Sequence, residues 1–177
     1  MSERDRERGR TARETTDDGS RESALSTARF LVVATTLLAA LLLVVTEFST
    51  VASVDVGNTS CEVIQDADPS LADRCSLSGF ERNGGSFLLV AALIAAMGWG
   101  AGIGRSRAAA VALVVLGAAV LAWALLVDLP VTDEAGALGN SFENARGKAG
   151  TGLTLEIVAG VLAVLAGGLG LHARARE

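Results

Sequence analysis

The chain has 177 residues, half of them apolar and a fifth charged, with a mean hydropathy of +0.44 and a formal charge of −5. A soluble domain alternates apolar and polar residues at helical or strand period, whereas here the apolar residues fall in long blocks, which excludes an ordinary water-soluble fold. Acids interleaved with the basic residues exclude a nucleic-acid partner, because they would repel phosphate.

Residues 1–28 are polar and mix arginine with acid at close spacing, as in Glu3-Arg4-Asp5-Arg6-Glu7-Arg8. Such a segment buries too little apolar surface to offset its ordering entropy and is expected to be a disordered tail. Its charges nearly cancel, so it is not a polybasic lipid-binding patch. Residues 29–48 form the first apolar run, softened only by Thr35 and Thr36, with Arg29 at its start and Glu47 at its end. A cleaved signal peptide competes for this run, since Thr50-Val51-Ala52 offers small residues to a peptidase. The preceding region is longer than an ordinary n-region and the run exceeds an h-region of roughly 7–15 residues, so an uncleaved membrane helix is expected.

Residues 49–85 form the longest loop, with six acids against Arg74 and Arg82. Asp68-Pro69 marks the start of a short helix leading to Cys75, since proline suits the first helical position after a cap. Cys61 and Cys75 both fall in this loop. An extracytoplasmic loop is oxidising, so they are expected to form a disulfide, worth roughly 3 kcal/mol for a loop of this length. A metal or redox pair needs more ligands or a C-x-x-C spacing, and neither is present. Asn58-Thr59-Ser60 matches a glycosylation acceptor, which matters only in a eukaryotic secretory pathway.

The second run, 86–103, carries Gly98, Gly100, Gly102 and Gly104 in overlapping G-x-x-x-G spacing, which lets a neighbouring helix approach closely. Gly98 and Gly102 are therefore expected at a helix contact, within the chain or between copies. The third run, 108–127, follows the turn Gly104-Arg105-Ser106-Arg107 and stops at Asp128-Leu129-Pro130. In the loop 128–150, Leu138, Phe142 and Ala145 have helical spacing with Ser141 as a cap, which predicts a short amphipathic helix on the membrane surface. The fourth run, 151–171, has a small-residue face at Gly160, Ala163 and Gly167. An arginine-rich tail, 173–177, follows.

Each run is about long enough to cross a bilayer core of roughly 30 Å at 1.5 Å per helical residue. The expected fold is therefore all-α, a four-helix transmembrane bundle with a disulfide-containing extracytoplasmic loop. The Arg105–Arg107 turn has no acid, and eleven of the fifteen Lys and Arg residues lie in that turn and the two terminal segments. By the positive-inside rule both termini are cytoplasmic, and loops 49–85 and 128–150 face outward from the cell membrane. Fourteen arginines against the single Lys148, with abundant alanine, have the compositional habit of a GC-rich bacterial genome.

Chemistry-bearing residues are few. Glu156 is the one ionisable residue inside a predicted span, about one turn from its outer end. Glu47 and Asp128 end the first and third helices at the same level, so the three carboxylates are candidates for a cation or proton site. The competing reading is that Glu156 reaches headgroups or pairs with Arg146 or Lys148, while Glu47 and Asp128 face water. His172, the single histidine, cannot build a metal site alone and complements a helix C-terminus. The glycine-rich stretches lack the strand and the Gly-Lys-Ser/Thr of a phosphate loop, and no G-x-S-x-G is present. The 49–85 loop also lacks the Gly-Leu-Trp that precedes the cysteines of claudin-like tetraspan proteins. The expectation is a non-catalytic structural or interaction protein of the cell envelope without a cofactor. Its acidic outer loops meet partners, and its contacts are lipid and a second copy or another membrane protein. The alternative is a small transporter or channel subunit handling cations.

Overall fold

The computed structural model describes residues 26–56, 59, 61–67, 75–132 and 145–175. In chain order these form α1 (Ser26–Glu47), β1 (Thr50–Val56), α2 (Cys61–Ala67), β2 (Ser76–Ser78), α3 (Gly79–Asn83), α4 (Ser86–Gly102), α5 (Arg107–Trp123), α6 (Leu129–Val131), β3 (Ala145–Ala149) and α7 (Thr151–Arg174). The protein is mostly helical, and three of its helices are long and apolar enough to span a membrane: Ser26–Glu47, Arg107–Asp128 and Thr151–Arg174. Ser86–Gly102 is equally apolar but has 17 residues, or about 26 Å at the standard helical rise.

The distribution of side-chain size is that of a protein whose solvent is lipid. Ala39, Ala110, Ala159, Ala163 and Ala166 are buried, while Leu41, Leu89, Leu126, Val115 and Leu165 are exposed. Without a hydrophobic drive between helices, small residues let backbones approach and dispersion holds them. Gly98 and Gly102 of α4 face Thr36 and Val33 of α1. Gly160 and Gly167 of α7 face α5, where a Cβ on Gly117 would lie 2.8 Å from both the Gly160 carbonyl oxygen and the Val164 nitrogen. Thr36 and Thr46 satisfy their hydroxyls by donating to the carbonyls of Val32 (2.6 Å) and Leu42 (2.9 Å), four residues back, so neither needs a partner from another helix.

One end of the bundle is capped by a structure that the all-α expectation missed. β1 pairs antiparallel with β2 and β3 in a three-stranded sheet of order β2-β1-β3, with Ala52 opposite Ala149 and Val54 opposite Gly147. The apolar residues Val51 and Val54 of β1 are buried, and the Gly150 amide donates to the Val51 carbonyl at 2.7 Å, tying α7 to the sheet. β3, Ala-Arg-Gly-Lys-Ala, has no strand preference of its own and is a strand because β1 offers an edge. Ala145 therefore begins a strand and not the turn of an amphipathic helix; Leu138, Ser141 and Phe142 lie outside the described residues, as do Asp68 and Pro69. Cys61 and Cys75 lie at disulfide-bonding distance, with Cα atoms 5.6 Å apart, and pack with Val54 and Ala145 in a small cluster under the sheet.

The helix limits also shift. α1 begins at Ser26, within the expected tail, and α7 runs through His172 to Arg174. The third helix does not stop at Asp128. Pro130 has no amide for the Leu126 carbonyl and its ring would strike that oxygen in an α-helix, so Ala124–Asp128 widens into a π-turn in which the Leu129 amide reaches the Ala124 carbonyl. The chain then continues helically to Val131.

The glycine contacts yield a clear expectation. Gly117→Ala forces α5 and α7 apart and lowers stability by roughly 1–3 kcal/mol, whereas Gly168→Ala, whose added Cβ meets nothing within 4 Å, leaves it unchanged or raises it. Thermal unfolding of the two variants in detergent checks this.

Candidate functional site

Three carboxyl groups meet beneath the sheet. Glu47 is the last residue of α1, Asp128 closes the π-turn and Glu156 lies in the second turn of α7. All three residues are completely buried. The Glu156 carboxyl is within hydrogen-bonding reach of Asp128 and adjacent to Glu47. The backbone amides of Gly85 and Phe87, at the start of α4, lie beside the Glu47 carboxyl. Neither amide closes a hydrogen bond, however: both oxygens of Glu47, both of Glu156 and Oδ2 of Asp128 lack a donor among the described residues.

The π-turn is what aims Asp128. A regular helix ending at Pro130 would break here; the wider turn carries the chain past the proline and leaves Asp128 on the buried side, against α7. Thr132 then ends the helix, its hydroxyl donating to the Leu129 carbonyl at 2.7 Å.

A basic residue that the sequence reading left in a loop completes the site. Arg82 of α3 donates from Nε to Asp128 Oδ1 at 3.2 Å and from a terminal nitrogen to the Val127 carbonyl at 3.3 Å. Its side chain is 30% exposed while that of Asp128 is wholly buried, so the guanidinium spans the cluster and the outside. α3 is held in place by a capping box. The Ser78 hydroxyl accepts from the Glu81 amide, and Glu81 Oε2 accepts from the Ser78 amide at 2.9 Å and the Ser78 hydroxyl at 2.7 Å. Those bonds hold the Glu81 carboxyl below its ordinary pKa, the backbone amide contributing more than the hydroxyl. Gly79 seats α3 directly on the end of α1: a Cβ there would lie 2.5 Å from the Thr46 carbonyl oxygen and 2.9 Å from Glu47 Cα. Gly84 and Gly85, both left-handed, turn the chain from α3 into α4.

The structure thus brings Glu47, Asp128 and Glu156 together and does not leave them facing water. Glu156 neither reaches the surface nor pairs with Arg146 or Lys148. Lys148 is near Asp55 at 3.8 Å, and Arg146 is an exposed residue of β3 opposite Asp55. Ser78-x-x-Glu81 was the sequence signal for α3 and hence for Arg82, and Pro130 was the signal for an irregular turn around Asp128.

Chemically, of three buried carboxyls only that of Asp128 is paired with a guanidinium. An unpaired carboxylate away from water is costly by several kcal/mol, and two carboxyls hydrogen-bond to each other only when one carries a proton. Among the described residues, no group of three or more His, Cys, Asp and Glu side chains is arranged to hold a metal ion. Cys61 and Cys75 lie at disulfide-bonding distance from each other. Comparisons with models of known protein families, with curated proteins and with solved structures give no match.

Arg82→Gln strips Asp128 of its charged partner and is expected to lower stability by on the order of 1–3 kcal/mol. Arg82→Gln with Asp128→Asn recovers most of that loss, because no buried charge is then left alone. Unfolding midpoints of the single and double variants, with Arg146→Gln as an exposed control, test the pairing.

Proposed function

We propose that this chain is a multi-pass membrane protein that binds and passes protons through the carboxyl cluster of Glu47, Asp128 and Glu156, as a small transporter or channel subunit. The observation that supports this reading best is the meeting of three carboxyls from three helices in a fully buried site where Glu47 and Glu156 have no donor among the described residues. Ionisable groups at membrane depth are expensive to keep, and by default they mark ion pathways or proton relays. Arg82 is the resident counter-ion of Asp128. In this reading it occupies the outer mouth of the cluster and yields to an arriving proton.

The topology that goes with it has four crossings, Ser86–Gly102 being the short one, with both termini cytoplasmic. Every acid among the described residues lies toward the sheet end, while Arg29, Arg105, Arg107 and Arg174 lie toward the other, in keeping with the positive-inside rule. The sheet end is then extracytoplasmic, where Cys61 and Cys75 are oxidised to a disulfide. A thiol-alkylated intact mass in the absence of reductant should carry no added label. Reduction should add two labels and destabilise the sheet by roughly 3 kcal/mol.

A second reading, a non-catalytic envelope protein that presents its outer face to partners, draws on the folded sheet itself. β1, β2 and β3 make a three-stranded sheet at one end of the bundle. The two readings part on one variant. In proteoliposomes with a pH-sensitive dye inside, the transport reading expects proton flux from the wild type and its loss in Glu156→Gln with the folded fraction unchanged. The envelope reading expects no flux from either protein and only an altered unfolding midpoint.

A further inference from the structure

On the outer face of α4 and α5, running from mid-helix toward the end of the bundle opposite the carboxyl cluster, lies a shallow open groove of about 710 Å³. Leu93 and Met97 of α4 and Val111, Val115 and Leu116 of α5 line it, and Arg107 is its single charged lining residue. Arg107 is the first residue of α5 and Arg105 is two residues before it, both exposed. Neither makes an ion pair with a described residue, and no described acid lies at this end of the molecule. The groove is thus an apolar surface with Arg107 at its end and Arg105 two residues away, neither paired with an acid among the described residues. The turn that presents them holds Arg105 in the left-handed region (φ 50°), a conformation that asparagine or glycine enters more readily. Ser106 caps α5 by accepting from the Ala109 amide at 3.2 Å, fixing Arg107 at the first helical position.

We propose that this groove is a binding site for one anionic phospholipid, with an acyl chain lying between α4 and α5 and the phosphate held by Arg107 and Arg105. The argument is complementarity on both halves of the ligand. An apolar trough on a membrane-facing surface takes a hydrocarbon chain, and paired basic groups at the headgroup level take a phosphate, which arginine binds through its planar fork. The short α4 assists. At about 26 Å it falls short of a bilayer core of roughly 30 Å, so the membrane thins or the headgroups dip beside it, bringing phosphate to the arginines. The attraction of one arginine near the surface corresponds to roughly a fivefold preference for an anionic lipid. The inference is independent of whether the carboxyl cluster carries ions.

Trp99 and Trp123 are the only tryptophans in the chain, which allows a direct test. A full-length Trp99→Phe/Trp123→Phe/Met97→Trp variant places a single fluorophore in the groove. It is reconstituted in mixed bilayers in which either phosphatidylglycerol or phosphatidylcholine carries brominated, quenching chains. Brominated phosphatidylglycerol should quench with an apparent affinity at least fivefold above that of brominated phosphatidylcholine. Arg105→Gln/Arg107→Gln should bring the ratio to about one, and so should high salt. Trp99→Phe alone leaves Trp123, at the other end, to report a ratio near one. Equal quenching at position 97 by the two lipids overturns the proposal, as does quenching by neither, which would mean that a second copy of the chain fills the groove. Should the reporter variant fail to fold, native mass spectrometry of the unmodified protein decides. Phosphatidylglycerol retained in competition with phosphatidylcholine, and lost in the double arginine variant, supports the site; indiscriminate retention removes it.

Discussion

The contact on which this structure turns is the pair between Arg82 and Asp128. It joins a five-residue helix outside the bundle to the buried end of the Arg107–Asp128 helix, and it neutralises one of three carboxyls that the helix ends bring together. Coulomb attraction between two such groups is modest in water and large where water is excluded. The energetic stake lies in the burial of Asp128, and Arg82 is the group that makes that burial tolerable. Several apparently separate features serve this contact. The capping box of Ser78 and Glu81 forms α3, Gly79 lets it rest on α1, the two left-handed glycines turn the chain away, and the π-turn rotates Asp128 inward.

Glu47 and Glu156 are different. The bundle interior elsewhere is made of alanine and glycine with a few large apolar side chains such as Leu43, Ile94 and Leu113, and its buried threonines satisfy their own hydroxyls. Two carboxyls without donors in such surroundings are costly for stability alone, which is the physical reason to look to ion binding for their presence. The same bundle is asymmetric in charge, every described acid lying toward the sheet end and Arg29, Arg105, Arg107 and Arg174 toward the opposite one. Each end thus has its own chemistry, carboxyls enclosed at one and guanidinium groups open at the other.

Much of this was legible from sequence. The positions of the four apolar helices follow from uninterrupted runs and their polar borders, and they fall within three residues of the expected limits, apart from the continuation beyond Asp128. The level shared by Glu47, Asp128 and Glu156 follows from counting residues along antiparallel helices. The sheet was not legible, for a physical reason. β1 has only a few alternating apolar residues, β2 is three residues long, and β3 is built of alanine, arginine, glycine and lysine. Their strand character comes from one another across long stretches of sequence, information that no local pattern carries. Arg82 was hidden in the same way, being an ordinary loop arginine until α3 is recognised. The direction in which Asp128 points depends on how the chain accommodates Pro130, and a helix that breaks and one that widens share the same sequence signal.

The strand order of the sheet has a consequence for how the protein is made. β1 follows the first long helix and β3 precedes the last, so Ala52 meets Ala149 only after nearly a hundred further residues have been synthesised. β2 is available sooner on one side of β1. Until the final hairpin emerges, β1 therefore presents an unpaired edge of backbone amides and carbonyls, the kind of surface that recruits other chains. Closure of the sheet coincides with arrival of α7, which is also the helix that delivers Glu156. Assembly of the cap and completion of the carboxyl cluster are thus a single late event in biogenesis, and a nascent chain stalled before that point has neither.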